Sequence, residues 1–79
     1  MINLSKKMFR VVTRDDGYSI YVKDRKFVDH KGPKKSTLHY YAMAERQIDT
    51  YFKKGLAPTI KEKFERVLGT EIENIEFKQ

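Results

Sequence analysis

The sequence predicts an α+β fold in which two helices pack on one face of a small antiparallel sheet, in the order β-β-(β)-α-α-β. Two patterns predict it: apolar residues alternate in the first third of the chain, and later recur at steps of three and four. With 79 residues, 39% of them hydrophobic and 13% aromatic, the chain suits one small basic domain over residues 1–79. This apolar content disfavours disorder.

An N-terminal β-hairpin is the first element that the pattern indicates. Apolar and β-branched residues alternate on either side of a turn: Phe9, Val11 and Thr13 before it, and Tyr18, Ile20 and Val22 after it. Asp16 and Gly17 lie between the two runs, and Gly17 is expected to supply the positive φ of a tight turn. A third, short strand is predicted at Phe27 and Val28.

A helix over 37–54 follows, because apolar residues recur at helical spacing: Leu38, Tyr41, Ala44, Ile48, Tyr51 and Phe52. Ser36 or Thr37 is expected to cap its first amides, and Gly55 to end it. Leu56 would then fold back onto Tyr51.

A second helix is predicted to begin at a capping box formed by Thr59 and Glu62, and to end at Gly69. A terminal strand is expected over 73–78, with a bulge at Asn74. It would join the N-terminal hairpin in the sheet.

The net charge of +6 is confined to one half of the chain. Residues 1–37 hold ten basic and four acidic groups, whereas residues 38–79 hold seven of each. Such asymmetry is typical of proteins that contact a polyanion, since each phosphate contact releases counterions and adds affinity that falls with salt.

Two regions are candidate nucleic-acid contacts. On the hairpin, strand parity places the outer-face candidates together: Arg10, Arg14, Tyr21 and Lys23. In the following loop, the candidates Lys31, Lys34 and Lys35 precede the amides of a helix start, which favour anions. The alternatives are a solvated, charged sheet face that discourages edge pairing and an ordinary solvated loop. The loop lacks the first glycine of a nucleotide-binding motif, so we reject nucleotide hydrolysis.

Two further groups are candidate protein contacts. Tyr40 and Met43 lie outside the predicted apolar stripe of the first helix, where exposed apolar residues are uncommon on small monomers. The alternative is that they cover the edge of the sheet or the second helix. The second group is an acidic patch near the C-terminus, composed of Glu71, Glu73 and Glu76; it could equally be a solvated strand face.

The sequence holds little that could support catalysis. It contains no cysteine and two histidines, His30 and His39, which is too few ligands for a histidine-based metal site. We therefore expect no catalytic residues, no metal and no cofactor, and not an enzyme. No apolar run is long enough to cross a bilayer, and residues 1–12 do not resemble a secretory signal. A cytoplasmic protein without membrane contact is expected.

The function that these features favour is a non-catalytic module that contacts nucleic acid, through its backbone and through single-stranded bases. The alternative is a small accessory or inhibitor protein, of the kind that mobile genetic elements encode, which docks on a larger nucleic-acid-handling machine. A homodimer that completes its core by joining sheets or helices is a third alternative.

Overall fold

The computed structural model describes the backbone of residues 2–53 and 57–75 and the side chains of residues 3–53 and 57–72. The class is α+β: a three-stranded antiparallel sheet and two helices. The strands are β1 (Ile2–Leu4), β2 (Phe9–Arg14), β3 (Gly17–Val22), β4 (Arg25–Lys31) and β5 (Ile72–Ile75), and the helices are α1 (Thr37–Lys53) and α2 (Pro58–Leu68). None of the described helices is long and apolar enough to cross a membrane.

The antiparallel sheet has the order β2-β3-β4, which confirms the predicted hairpin and third strand. β4 is longer than the predicted pair because it contains a bulge: Ile20 lies opposite Val28, but Tyr21 lies opposite Lys26. The extra residue, Phe27, is buried, and the adjacent Val28 also packs against the core. The bulge therefore turns two consecutive residues towards the helices.

Gly17 has a different role from the predicted one. The turn consists of Asp15 and Asp16, and Gly17 is the first residue of β3, with φ +155°. A Cβ at this position would lie 2.0 Å from the carbonyl oxygen of His30 in β4. Glycine is required here because two backbones approach closely, and this approach brings the end of β4 against the turn.

The turn between β3 and β4 has two central residues of positive φ, Lys23 at 50° and Asp24 at 64°. This is the geometry of a type I′ turn, whose twist matches that of the flanking strands. Neither residue is glycine, so the sequence contains no Asn-Gly signal that would have predicted it.

The helices lie on one face of the sheet and share its core. Ser36 caps α1, since its Oγ accepts the N–H of His39 at 3.1 Å. The predicted capping box of α2 is wrong: Ala57 is the N-cap residue, without a side-chain cap bond, because Pro58 occupies the first turn. Gly69 ends α2 with φ 71°, as predicted. The predicted contacts of Gly55 and Leu56 lie outside the described residues.

The buried face of α1 is rotated from the predicted stripe. Tyr40, Ala44, Ile48 and Phe52 are buried at four-residue steps, whereas Leu38 is 79% exposed and Tyr41 45% exposed. Leu38 and Tyr41 therefore lie outside the core and Tyr40 inside it, which corrects the prediction for all three. The periodicity alone could not separate these neighbouring faces because aromatic or apolar residues occupy both.

A second sheet pairs β1 with β5 in parallel. The sequence analysis did not anticipate β1, and it placed the terminal strand in the antiparallel sheet. The register is irregular, since Ile2 lies opposite Ile72 but Asn3 lies opposite Asn74. The backbone N–H of Ile72 is held at 2.8 Å by the Glu65 carboxylate of α2. The predicted strand extended to residue 78, but residues 76–79 lie outside the described residues.

We predict that Gly17→Ala destabilises the protein by about 2 kcal/mol or more, because the new Cβ must displace the backbone of β4. Gly69→Ala is the matched control. Gly69 also has positive φ, but a Cβ there would meet nothing within 4 Å, so only the conformational cost of about 1 kcal/mol remains. Urea unfolding of both variants measures the difference, and an equal loss in the two would contradict the steric explanation.

Candidate functional site

The face of the antiparallel sheet opposite the helices carries the basic residues that the sequence analysis singled out. We call it the outer face. The strand registers arrange its residues in three rows, Arg10–Tyr21–Lys26, Val12–Ser19–Asp29 and Arg14–Gly17–Lys31. Each row runs across β2, β3 and β4. The registers thus bring Arg10 and Tyr21 into one row, as predicted, and add Lys26.

The first row combines an aromatic ring with two cations. The guanidinium carbon of Arg10 lies 4.7 Å from the centroid of the Tyr21 ring, which is the geometry of a cation–π contact. Arg10 also approaches Asp24 at 3.7 Å, but their side chains are 57% and 90% exposed. Such an exposed pair contributes little, so Arg10 can exchange Asp24 for another anion.

Lys26 was not among the residues predicted for this surface. It is exposed, and among the described residues no carboxylate pairs with it. Its place in the row depends on the bulge at Phe27, which shifts the register of β4 by one residue. Sequence alternation alone could not reveal this register, although the adjacent buried pair Phe27 and Val28 was a signal for the bulge.

Arg14 holds the sheet together, unlike the freely exposed cation that was predicted. Its guanidinium donates to Ser19 Oγ at 3.0 Å and to Asp29 Oδ1 at 3.1 Å, and lies 3.5 Å from Asp16. Ser19 in turn donates to Asp29 at 2.9 Å and is 2% exposed. This network covers the centre of the outer face. Within it, the single positive charge of Arg14 faces two carboxylates, those of Asp16 and Asp29.

The same network sets the acidity of Asp29. The Ser19 hydroxyl is the largest cause of a pKa for Asp29 below its ordinary value, and Arg14 and Lys26 lower this pKa further. Asp29 is therefore a carboxylate at neutral pH, so it repels anions from the middle row. The available positive charge lies at the two ends of the outer face, at the Arg10 row and at Lys31.

The loop between β4 and α1 is tied to the first hairpin turn. The backbone N–H groups of Gly32 and Lys35 donate to the carbonyls of Asp16 and Asp15, at 2.9 and 2.7 Å. Lys34 lies 3.7 Å from the Asp15 carboxylate. Lys31 and Lys35 are exposed, and no described carboxylate pairs with either. Lys23 is exposed in the β3–β4 turn. Lys23, Lys31 and Lys35 therefore do not share one row.

The described residues among those predicted to contact a protein differ in exposure. Tyr40 is 1% exposed, and its hydroxyl donates to the carbonyl of Pro33. Its burial corrects the predicted surface position. Met43 is half-buried and packs against the core. Glu71 is exposed, whereas the side chain of Glu73 and the whole of Glu76 lie outside the described residues.

The two histidine rings both lie against Tyr40, with centroid distances of 6.1 Å for His30 and 5.4 Å for His39. The His30 ring stacks on Tyr18 with centroids 4.9 Å apart, and His39 is exposed on α1. Among the described side chains, those of residues 3–53 and 57–72, no group of three or more histidine, aspartate or glutamate residues is arranged to hold a metal ion.

A groove between β2 and α1 is a feature that the sequence analysis missed. It has a volume of about 300 Å³ and is lined by Lys6, Phe9, Val11, Tyr41, Glu45, Ile48 and Asp49. The exposed ring of Tyr41 contributes to its wall, and the ion pair between Lys6 and Asp49 lies in it. The only sequence signal for it was the surplus of aromatic residues on α1.

Comparison with known proteins identifies no relative: the chain matches no protein-family model, no curated protein and no solved structure. The function must therefore be argued from the chemistry of these two surfaces.

We predict that Ser19→Ala raises the pKa of Asp29 towards its ordinary value, because the hydroxyl that stabilises the carboxylate is removed. A lowered native pKa means that the contribution of Asp29 to stability is present above its ordinary pKa and is lost as the pH falls through the native one. The variant should therefore lose this contribution at a higher pH than the wild type. Carboxyl-carbon NMR titration measures the pKa; an unchanged value would contradict the assignment.

Proposed function

We propose that the protein is a non-catalytic binding module that holds single-stranded nucleic acid on its outer face. The observation that carries the proposal is the Arg10–Tyr21–Lys26 row, in which an aromatic ring is flanked by a cation on each neighbouring strand. Unpaired bases stack on aromatic side chains, and cations beside the ring bind the phosphates on either side of the base.

The chemistry of the outer face favours a single strand over a duplex. Tyr21 is half-buried in the middle strand, so its ring lies within the surface, where a splayed base can reach it and a stacked base pair cannot. Lys26 makes no ion pair with a described carboxylate, although its charge contributes to the lowered pKa of Asp29. Arg10 exchanges an exposed pair with Asp24, which costs little, and a base that stacks on the same face of Tyr21 must also displace the guanidinium that lies 4.7 Å from the ring centroid.

This proposal keeps Arg10 and Tyr21 from the predicted set of nucleic-acid contacts and adds Lys26. Arg14 has a supporting role, because its guanidinium already binds Ser19 and Asp29. A nucleic-acid backbone that runs from the Arg10 row along β4 must pass Asp29 before it reaches Lys31. Affinity is therefore concentrated at the Arg10 row, with Lys23 close by in the adjoining turn. Lys31, Lys34 and Lys35 add a long-range positive field.

A second candidate function is the docking of the protein on a larger protein as an accessory or inhibitor. The groove beside β2 and the exposed Tyr41 favour it. Affinity capture before and after nuclease treatment separates the two candidates, since partners held only through nucleic acid are lost on treatment.

We predict that Tyr21→Ala weakens the binding of labelled single-stranded DNA and RNA, each of about 12 nucleotides, by about tenfold, because one stacking contact is lost. Fluorescence anisotropy at about 50 mM salt measures the affinity. Absence of binding by the wild-type protein under these conditions would refute the proposed function. Equal binding by Tyr21→Ala would remove the stacking contact from it.

We further predict that Lys26→Glu weakens oligonucleotide binding at low salt and lowers the slope of its salt dependence by about one, the loss expected for one phosphate contact. Lys61→Glu is the matched control. Lys61 is also exposed, but it lies on α2, and α2 packs on the opposite face of the sheet. The same change of net charge there should alter affinity much less. Equal effects of the two variants would indicate binding by net charge alone.

A further inference from the structure

One edge of the antiparallel sheet is unpaired in the described part of the chain. β2 is the end strand, and Lys23 N–H donates to Met8 O at 3.0 Å just before it. Since bonded pairs alternate along an antiparallel ladder, residues 10, 12 and 14 bond to β3. The N–H and C=O groups of Val11 and Thr13 consequently point away from β3, in the arrangement that an added strand requires, whereas the N–H of Phe9 already donates to the carbonyl of Lys6.

The two edges of the sheet differ in their protection. The strand at the other edge, β4, contains the bulge at Phe27 and carries charged side chains at Lys26, Asp29 and Lys31. Bulges and charges discourage pairing with another chain. β2 also carries two charged residues, Arg10 and Arg14, but it pairs with β3 in an unbroken register over all six of its residues and contains no proline, so the bulge is what distinguishes the two edges.

The surface next to this edge, on the side of the sheet that faces the helices, is partly apolar. The groove of about 300 Å³ is walled by Phe9, Val11, Tyr41 and Ile48. Tyr41 is 45% exposed although it lies next to the core. A strand added to β2 would direct alternate side chains towards this groove, where they would cover the Tyr41 ring.

We propose that the free edge of β2 binds an extended peptide in which apolar residues alternate with acidic ones. Apolar residues suit the groove because Glu45 repels acidic side chains there and Lys6 is already paired with Asp49. The alternate side chains of the peptide lie on the outer face beside Arg10, which is 57% exposed. An acidic residue at that position gains a cation opposite it across the strand pair.

A second copy of the chain fits the edge less well. Pairing of β2 with β2 of another molecule would bring the Arg10 and Arg14 side chains of both copies to one face of a continuous sheet, where like charges repel. Main-chain hydrogen bonds would provide affinity for the peptide, and the groove and Arg10 would provide its specificity.

The test uses the labelled full-length protein and a soluble peptide of about six residues, the length of an ordinary strand, in which valine alternates with glutamate. We expect NMR shifts and slowed hydrogen exchange at the amides of Val11 and Thr13, whose N–H groups point away from β3. A peptide in which valine alternates with lysine is the charge control and should bind at least about tenfold more weakly.

Three variants locate the site. Tyr41→Ala should weaken peptide binding by about tenfold through loss of the groove wall, whereas Leu38→Ala, an exposed residue on the same helix outside the groove, should leave it unchanged. Thr13→Pro removes an outward N–H without breaking the ladder to β3 and should abolish the slowed exchange at this edge. Circular dichroism checks that each variant is folded; if Thr13→Pro is not, Tyr41→Ala and Leu38→Ala still decide the question.

Several results would overturn the proposal: no binding of the valine–glutamate peptide, equal binding of the lysine peptide, shifts confined to the Tyr21 and Lys26 amides, or equal effects of Tyr41→Ala and Leu38→Ala. Protection of the β2 amides that rises with protein concentration in the absence of peptide would assign the edge to a second copy instead. The effects of Tyr41→Ala and Thr13→Pro do not depend on oligonucleotide binding, because Tyr41 and Thr13 lie outside the Arg10 row; Arg10 itself belongs to both sites.

Discussion

The packing of Phe64 against the sheet is the interaction on which the rest of the structure depends. Its ring stacks on Phe27 with centroids 3.8 Å apart and meets Phe9 and Tyr51 edge-on at 5.8 and 5.4 Å. Phe64 is the one fully buried residue that α2 contributes to the core among the described residues. A helix of 11 residues is marginal in water alone, so this contact holds α2 against β4. Both helices then cover the same face of the sheet.

Because the helices share one face, no element of the described part of the chain covers the other face of the three-stranded sheet. Its charges are organised by Ser19, which lies buried beneath the Arg14–Asp29 pair. This network neutralises the centre and leaves a cation–aromatic row at one end. A net charge of +6 therefore says little about where an anion would bind, since carboxylates of the same half of the chain lie next to several of its basic groups.

The two candidate surfaces meet along β2. Its side chains alternate between the outer face, where Arg10 lies, and the groove, where Phe9 and Val11 lie. A ligand on the outer face and a strand on the edge would both contact Arg10. If both proposals hold, the occupation of one surface would alter the charge available to the other, and the protein could couple a polyanion to an acidic peptide through this one residue.

The sequence alone determined the class, the first hairpin, the start of α1 and the end of α2 at Gly69, because these depend on local periodicity, on capping and on glycine geometry. It also indicated that Arg10 and Tyr21 share a face, since parity within a hairpin follows from alternation. Tertiary structure decided the bulge at Phe27, and with it the position of Lys26 on the outer face. It also decided that Tyr40 is buried and Tyr41 exposed, the reverse of the prediction. The physical reason is that register and helix rotation are chosen by packing between distant segments, which local periodicity does not report. Only the joint fit of the helices on the sheet determines both.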